Sequence, residues 1–500
     1  MKTAILRRKA IAFFGAAAVL FAAAAFTTGC NANAGGDSGG DIPPAEYTKV
    51  AFGTNGEGLK NYLETKASAA GINYLEVTGL SAADVNIMLT GEALLGKILN
   101  GSETKKVAFK FGSDLTGVTD MSGCFFGCPG LVQVSGIPAG VQTMMGVFYG
   151  CKNLVEAPEI PSSVTDMGRC FVDCQKLVKA PKIPESVTNL ENCFDGCKSL
   201  TQAPVIPEGV TSMDECFKGC KSLTQAPKIP ASVKSAGIDS CFEDCTSLTH
   251  APEILANVEQ MKATFKNCKS LTQAPVIPAS VEAMENTFLG CTSLAQAPVL
   301  PTNVNMVGGT FEGCTSLTQA PEIPVSVKNM GHCFKGCTKL AQAPAIPADV
   351  IYMGGCFEGC TSLTQAPVLP TNVEQISSCF KGCTSLTQAP VIPAKVTTMH
   401  NCFEGCTSLT QAPVIPKDIT AMLSCFEGCT KLTAATLKCN YNPAVLYKDE
   451  EGNEVKAFKD VFKGCTSLKN NSVKVPAAQV AAYKAGAGTM GANENWFAAE

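Results

Sequence analysis

Apolar residues recur at fixed positions along most of this chain, and the period is 23, the step from Cys360 to Cys383. In one copy the recurring positions are Leu363, Ala366, Ile376 and Phe380, and nearly every other copy has partners at the same positions. A fixed period between about 20 and 50 residues is typical of stacked repeat architectures. A residue that recurs at one phase points the same way in every unit. The pattern therefore predicts parallel coils about 4.8 Å apart, with apolar columns inside the stack.

Each copy closes on a cysteine, usually within a Cys-Phe-x-Gly-Cys segment. The step between closing cysteines is again 23, except for 25 from Cys220 to Cys245 and 36 from Cys429 to Cys465. Two prolines per copy lack a backbone donor, so we expect very short strands. The glycine before the closing cysteine favours a helical or 3-10 turn. The fifteen closing cysteines are Cys128, Cys151, Cys174, Cys197, Cys220, Cys245, Cys268, Cys291, Cys314, Cys337, Cys360, Cys383, Cys406, Cys429 and Cys465.

The copy before Cys245 breaks the regularity. It carries two extra residues around positions 234–239, and the next copy has His250 in place of glutamine and Leu255 in place of proline. This irregularity predicts a local bulge or bend.

Residues 47–118 lack the repeat and predict a small α/β segment. Helical spacing covers 59–70, strand patterns cover 72–77 and 105–111, and Ser81 begins a capping box for a second helix that Gly91 and Gly96 weaken. A terminal coil would otherwise expose its apolar face. We therefore interpret this segment as an N-terminal cap.

The end of the chain departs from the repeat twice. Residues 439–458 interrupt the last coil, and Glu450-Glu-Gly-Asn suggests a hairpin turn. Residues 470–500 predict a short strand at 472–476, a helix over 477–485, and then Trp496 beside Phe497. This β/α segment is interpreted as the C-terminal cap.

The repeat itself resembles a known family. Its consensus Leu-Thr-x-Ala-Pro-x-Ile-Pro-x-x-Val-x-x-Met-x-x-Cys-Phe-x-Gly-Cys, over residues 119–469, is similar to the BspA-type leucine-rich repeat of bacterial surface proteins. The resemblance implies a leucine-rich-repeat solenoid of short parallel strands and irregular or 3-10 turns. It also implies a secreted or lipid-anchored surface protein, some relatives being linked to adhesion, and it supplies no catalytic residues.

The start of the chain is typical of an export signal. Four basic residues precede an apolar run over 10–26, and the segment ends in Thr-Thr-Gly-Cys30, which resembles a bacterial lipoprotein signal. Lipidation at Cys30 is the favoured interpretation, against secretory cleavage or an uncleaved anchor. Residues 31–46 are Gly-rich and polar, as a flexible tether would be. Removing residues 1–30 removes four positive charges, which takes the formal charge from −4 to −8 and argues against nucleic-acid binding.

The repeat cysteines are the first candidates for chemistry. Of the 27 cysteines, fifteen close a repeat and ten lie four residues earlier, where five copies have valine or threonine instead. A position that accepts Cys, Val or Thr indicates a small buried side chain. Buried thiols are favoured over disulfides, and a metal site is the weakest alternative because histidine is nearly absent.

Two polar columns remain. The residue between Phe and Gly is charged in most copies, and seven of the eight adjacent charged pairs have opposite signs. This alternation favours a register-keeping ladder of weak ion pairs over a docking stripe. The other column is glutamine, and its amides would either bond one another or form a long polar strip for a repetitive ligand. Its members are Gln202, Gln225, Gln273, Gln296, Gln319, Gln342, Gln365, Gln388 and Gln411.

Together these features predict five segments: signal peptide 1–30, tether 31–46, N-terminal cap 47–118, solenoid 119–469 and C-terminal cap 470–500. The predicted function is a lipid-anchored, non-enzymatic surface module. It would bind a host matrix protein, a glycan or a microbial surface protein weakly and many times. The alternative is a passive structural or antigenic coat with recombining repeats. No cofactor or metal is expected, and the membrane is contacted through the N-terminal lipid.

Overall fold

The computed structural model describes residues 46–86, 93–102, 104–234, 236–448 and 453–500. The export signal, Cys30 and the tether up to residue 45 therefore lie outside the described residues. Among those that are described, no helix is long and apolar enough to cross a bilayer.

The N-terminal segment forms a parallel four-stranded sheet that runs directly into the first coil. Alternating side chains fix its faces, since Val107, Phe109 and Phe111 are all buried. The third strand pairs with the fourth, which already belongs to the repeat array. The strands lie in the order β1-β2-β3-β4, with bounds β1 Thr48–Ala51, β2 Ile72–Thr78, β3 Lys106–Phe111 and β4 Leu131–Ser135.

The helices of this segment are shorter than the sequence predicts. The first helix ends at Thr65 rather than residue 70, because the next two N–H groups both donate to the Tyr62 carbonyl. The Ser81 capping box forms, but its helix spans only four residues. Gly96 lies inside a third helix, where a Cβ would stand 2.6 Å from the Cys124 carbonyl oxygen of the first coil; Gly91 lies outside the described residues. The bounds are a 3-10 turn Thr54–Gly56, α1 Glu57–Thr65, α2 Ala82–Val85 and α3 Leu94–Asn100.

The repeat array is a stack of parallel coils with two narrow strand-like ladders. One ladder is at the glutamine position, where Gln365 pairs with Gln388, and the other is near the closing corner, where Tyr352 pairs with Gln375. Most pairings in these two ladders are single parallel β-bridges rather than extended strands. The prolines explain this, because each removes a donor from the ladder. The predicted short parallel strands are therefore confirmed.

The closing corner is a series of overlapping turns rather than a continuous helix. In one coil the N–H groups of Met353, Gly355, Phe357 and Gly359 donate to the next coil at 2.7–2.9 Å. Two of the N–H groups between them, those of Cys356 and Glu358, donate to carbonyls three residues back at 3.1 Å. Both glycines have left-handed backbones, with φ of 62° and 71°. The predicted turn closed by glycine is thus present, and a second left-handed residue prevents a regular 3-10 helix.

A column of stacked phenylalanines forms the centre of the array. It runs from Phe125 to Phe462, with ring centroids 5.2–5.8 Å apart and nearly parallel planes. Burying each ring contributes about 1.5–3 kcal/mol. Phe109 packs on one end of the column and Phe497 on the other. The two flanking segments therefore supply aromatic side chains that cover the terminal rings.

The insertion near residue 234 is a local bulge. A tight turn joins the Gly237 N–H to the Lys234 carbonyl and takes up the extra length. Leu255, which replaces proline, has an N–H group and donates it to the Ile229 carbonyl at 3.0 Å. The rings of Phe217 and Phe242 still stack at 5.7 Å across the insertion. The bulge changes the surface and leaves the core column continuous.

The C-terminal segment closes the stack with a second parallel sheet, in the order β10-β9-β6-β5. The interruption of the last coil forms an antiparallel hairpin, as predicted, although its turn lies outside the described residues. The predicted helix at 477–485 begins as a 3-10 turn. The bounds are β5 Gln411–Ile415, β6 Ala434–Leu437, β7 Leu446–Lys448, β8 Glu454–Lys456, β9 Val473–Val475, 3-10 turn Ala477–Gln479, α4 Val480–Ala485, 3-10 turn Glu494–Trp496 and β10 Phe497–Ala499.

Candidate binding face

The nine glutamines of the glutamine column are all exposed. In the coil of Gln365 the backbone places Leu363 in the core, then presents Thr364 and Gln365 to solvent, and returns through half-buried Ala366 and Pro367. The proline fixes the chain direction after the glutamine. Because every coil repeats this path, the nine side chains project from a rigid, evenly spaced backbone.

Several threonines beside this column donate a hydrogen bond to the neighbouring coil. The Thr387 hydroxyl donates to the Thr364 carbonyl at 3.2 Å, and the Thr433 hydroxyl donates to the Thr410 carbonyl at 2.9 Å. Across the described residues, no hydrogen bond joins two amide side chains of the glutamine column. The threonines thus stabilise the stack, while the glutamine amides keep their hydrogen-bonding capacity for solvent or a ligand.

The same column begins earlier in the chain than the glutamine pattern suggests. Backbone bridges link Gln133 to Glu156, Glu156 to Lys179, and Lys179 to Gln202. Counting back from Gln202 by one repeat length at a time would have found these positions. A groove of about 1100 Å³ lies here, lined by Glu156, Lys179 and the adjacent Ala-Pro segments. A second groove of about 480 Å³ lies around Gln202 and Gln225.

The charged column forms the ion-pair ladder that its alternating signs predict. Glu243 contacts Lys266 at 2.8 Å and Lys218 at 3.6 Å from the coils on either side. Burial pushes the pKa of Glu243 up, but the two ammonium groups outweigh it and the pKa is lowered. Further rungs join Lys335 to Glu358, Lys381 to Glu404, and Lys463 to Glu427. Each exposed rung contributes about 0–1 kcal/mol, so this column mainly fixes register.

The repeat cysteines lie in the core as thiols. All 26 cysteines in the described part of the chain are buried. A closing thiol donates to the phenylalanine carbonyl of the preceding coil, as Cys360 does to Phe334 at 3.1 Å. Burial raises the pKa of these thiols, which keeps them protonated. Where threonine replaces the earlier cysteine, as at Thr287, its hydroxyl makes the equivalent bond to Met261 at 2.7 Å.

The stacked parallel coils, their inward leucines and phenylalanines, and the exposed polar columns define a leucine-rich-repeat solenoid. The chain belongs to the BspA type leucine rich repeat region family, whose profile matches residues 121–249, 214–341, 260–387 and 332–443. The comparison with curated proteins gave no match.

The comparison with solved structures gave matches to bacterial leucine-rich-repeat proteins. A leucine-rich repeat protein from Bacteroides ovatus ATCC 8483 is 24% identical, with a TM-score of 0.51, over 73% of this chain and 84% of that one. One from Eubacterium ventriosum ATCC 27560 is 18% identical, with a TM-score of 0.41, over 70% and 87%. A leucine rich cell surface protein from Faecalibacterium prausnitzii A2-165 is 20% identical, with a TM-score of 0.29, over 76% and 81%. The first of these supports the fold.

Proposed function

We propose that this protein is a lipid-anchored, non-enzymatic surface module that binds its partner weakly at many coils through the glutamine column. The observation that carries the proposal is the set of nine exposed amides, one per coil, which make no amide–amide bonds. An amide both donates and accepts hydrogen bonds. A single glutamine gives little affinity, but a ligand that contacts several coils gains avidity.

The partner of this proposal is a repetitive polymer: a fibrous matrix protein, a glycan or the surface protein of another microbe. Aromatic anchors are sparse beside the column, so no single coil offers a strong contact. The variable charges at Glu159, Lys182, Lys228 and Glu253 further limit the uniform part of the surface to the glutamines and their neighbours.

The binding test uses residues 31–500 against immobilised matrix proteins, glycans and microbial cells. Alanine at Gln342, Gln365 and Gln388 together should weaken saturable binding at least tenfold. Alanine at Gln375, an exposed glutamine of the other ladder, is the matched control and should leave binding unchanged. Binding that is indifferent to the glutamine column would refute the proposal. Absence of any saturable ligand would favour the passive coat.

We further propose that Cys30 carries the lipid and that residues 31–46 act as the tether between membrane and solenoid. The Thr-Thr-Gly-Cys segment supports this assignment. In cells fed a fatty-acid analogue, the chain should incorporate label and resist extraction from membranes by salt. The Cys30→Ala variant should lose both properties while its solenoid still folds. Labelling that persists in Cys30→Ala would place the lipid elsewhere.

A further inference from the structure

A second exposed column runs beside the glutamines and is apolar in the C-terminal coils. It lies three residues after each glutamine, and we name it the valine stripe. Val276, Val299, Val368 and Val391 are 87–89% exposed and Val414 is 53% exposed. Exposed apolar surface that repeats in this way is unusual on a monomer and marks an interaction site. The stripe consists of Val276, Val299, Glu322, Ala345, Val368, Val391 and Val414.

The earlier coils do not share this character. At the same position they carry Glu159, Lys182, Lys228 and Glu253, and only Val205 among them is apolar. The fold therefore accepts acid, base or valine at this position. The core therefore does not require the apolar residues that occupy this position in successive coils from Ala345 to Val414.

The shape of this face is complementary to the same face of a second copy of the chain. In one coil, exposed Gln365 and Val368 form two ridges, and half-buried Ala366 and Pro367 form the furrow between them. The ridges recur at the coil spacing, which is 5.5–5.8 Å between phenylalanine rings in these coils. A rigid partner that fits a valine into the furrow at every coil must have the same spacing, and a second copy has it by construction.

We propose that the valine stripe joins two copies of this chain in an antiparallel dimer, with a two-fold axis between the coils of Val368 and Val391. A closed two-fold contact uses the same patch on both copies. Val368 of each copy then faces Val391 of the other, and Ala345 faces Val414.

The charges at the ends of the stripe favour this placement of the axis. By the strand register, Val414 pairs with Thr436, and Thr436 pairs with Lys474. An axis between Val368 and Val391 therefore places Glu322 opposite Thr436 of the second copy, one strand from its Lys474. An axis at Glu322 would instead bring two carboxylates together, which is unfavourable.

Sedimentation of residues 31–500, which contain the compact unit Ala45–Glu500, tests the dimer. The parent chain should show a concentration-dependent dimer between 1 and 100 µM, on the order of affinities for small interfaces. The double variant Val368→Glu/Val391→Glu should weaken it at least tenfold. Val205→Glu, which changes an equally exposed valine between Lys182 and Lys228, should dimerise like the parent. Circular dichroism checks that each variant folds.

A charge-swap variant tests the antiparallel arrangement. Val368→Glu/Val391→Lys should dimerise like the parent, because each glutamate then faces the lysine of the second copy, whereas a parallel contact would place glutamate against glutamate. A parent chain that is monomeric at 100 µM overturns the proposal, as does a dimer that survives glutamate in the stripe. A charge-swap variant that stays monomeric overturns the antiparallel pairing. None of these outcomes depends on the glutamine column binding a ligand.

Discussion

At the residue scale, the cysteines show how a reactive side chain becomes part of a core. From Cys151 onward each closing thiol lies in the core and donates to a phenylalanine carbonyl, as Cys406 does to Phe380, where burial raises the thiol pKa. Since the thiolate is the reactive form, neither access nor ionisation favours reaction. We expect native residues 31–500 to show no thiol labelling by a maleimide at pH 8. The same chain in denaturant should label at all 26 cysteines, counted by mass spectrometry.

Prior treatment with a mild oxidant is the control for this prediction. It should leave the count in denaturant at 26, because the thiols are buried in the folded chain and are not accessible as thiolates to the oxidant. A loss of label in pairs would show that disulfides join the coils. Rapid labelling of the native chain would show that the corners open on the timescale of the reaction.

At the element scale, the β7–β8 hairpin packs over His400, which is buried from solvent. His400 is 5% exposed, its ring lies 3.7 Å from the Tyr447 ring, and neither ring nitrogen has a hydrogen-bond partner. Burial lowers the pKa of His400 to about 4. The His400 imidazole therefore binds a proton below about pH 6.5 in the unfolded chain, but only near pH 4 in the folded chain. The free energy of unfolding should fall over this window, by on the order of 1–3 kcal/mol.

The variant His400→Leu isolates this effect, because the next coil has Leu423 at the same position. Urea titrations at pH 7.5 and pH 5 should show a smaller loss of stability in the variant than in the parent. Burial raises the pKa values of Asp195 and Asp214 to about 6, which stabilises the folded chain as the pH falls. That contribution is common to both proteins and cancels in the comparison. Identical pH profiles would show that the hairpin does not keep His400 neutral.

The elements themselves could be predicted from sequence more fully than the surface could. A strict period fixes which residues share a column, so the coils, the ion-pair ladder and most strand positions follow from it. The exposure of each column does not follow from the period, because the period does not determine whether a column faces the core or the solvent. Val368 and Val373 occupy regular columns alike, yet the first is 88% exposed and the second is fully buried. The contact of His400 with the hairpin joins segments with no shared period, so the sequence pattern could not show it.

At the scale of the whole molecule, loss of coils should change the salt dependence of stability when it puts the charge ladder out of phase. Deleting residues 338–383 removes two coils and places Lys335 next to Glu404, which preserves alternation. Deleting residues 361–383 removes one coil and places Glu358 next to Glu404, two like charges. Both deletions remove whole repeats, so the phenylalanine column stays continuous. The stability of a solenoid is roughly a sum of coil and interface terms.

The one-coil deletion keeps one more coil and one more stacked phenylalanine, so it should be the more stable of the two, and its like-charged rung should appear as salt dependence. The decisive measurement is the change in urea midpoint between 0.05 and 0.5 M NaCl, since salt screens exposed charges. Salt should raise the urea midpoint of the one-coil deletion and leave unchanged or lower that of the two-coil deletion. The corresponding difference in the free energy of unfolding should be up to about 1 kcal/mol. Replacing Glu404 by glutamine in the one-coil deletion should abolish its salt response. Equal responses in both deletions would mean that apolar stacking alone sets the register, with the ladder contributing nothing.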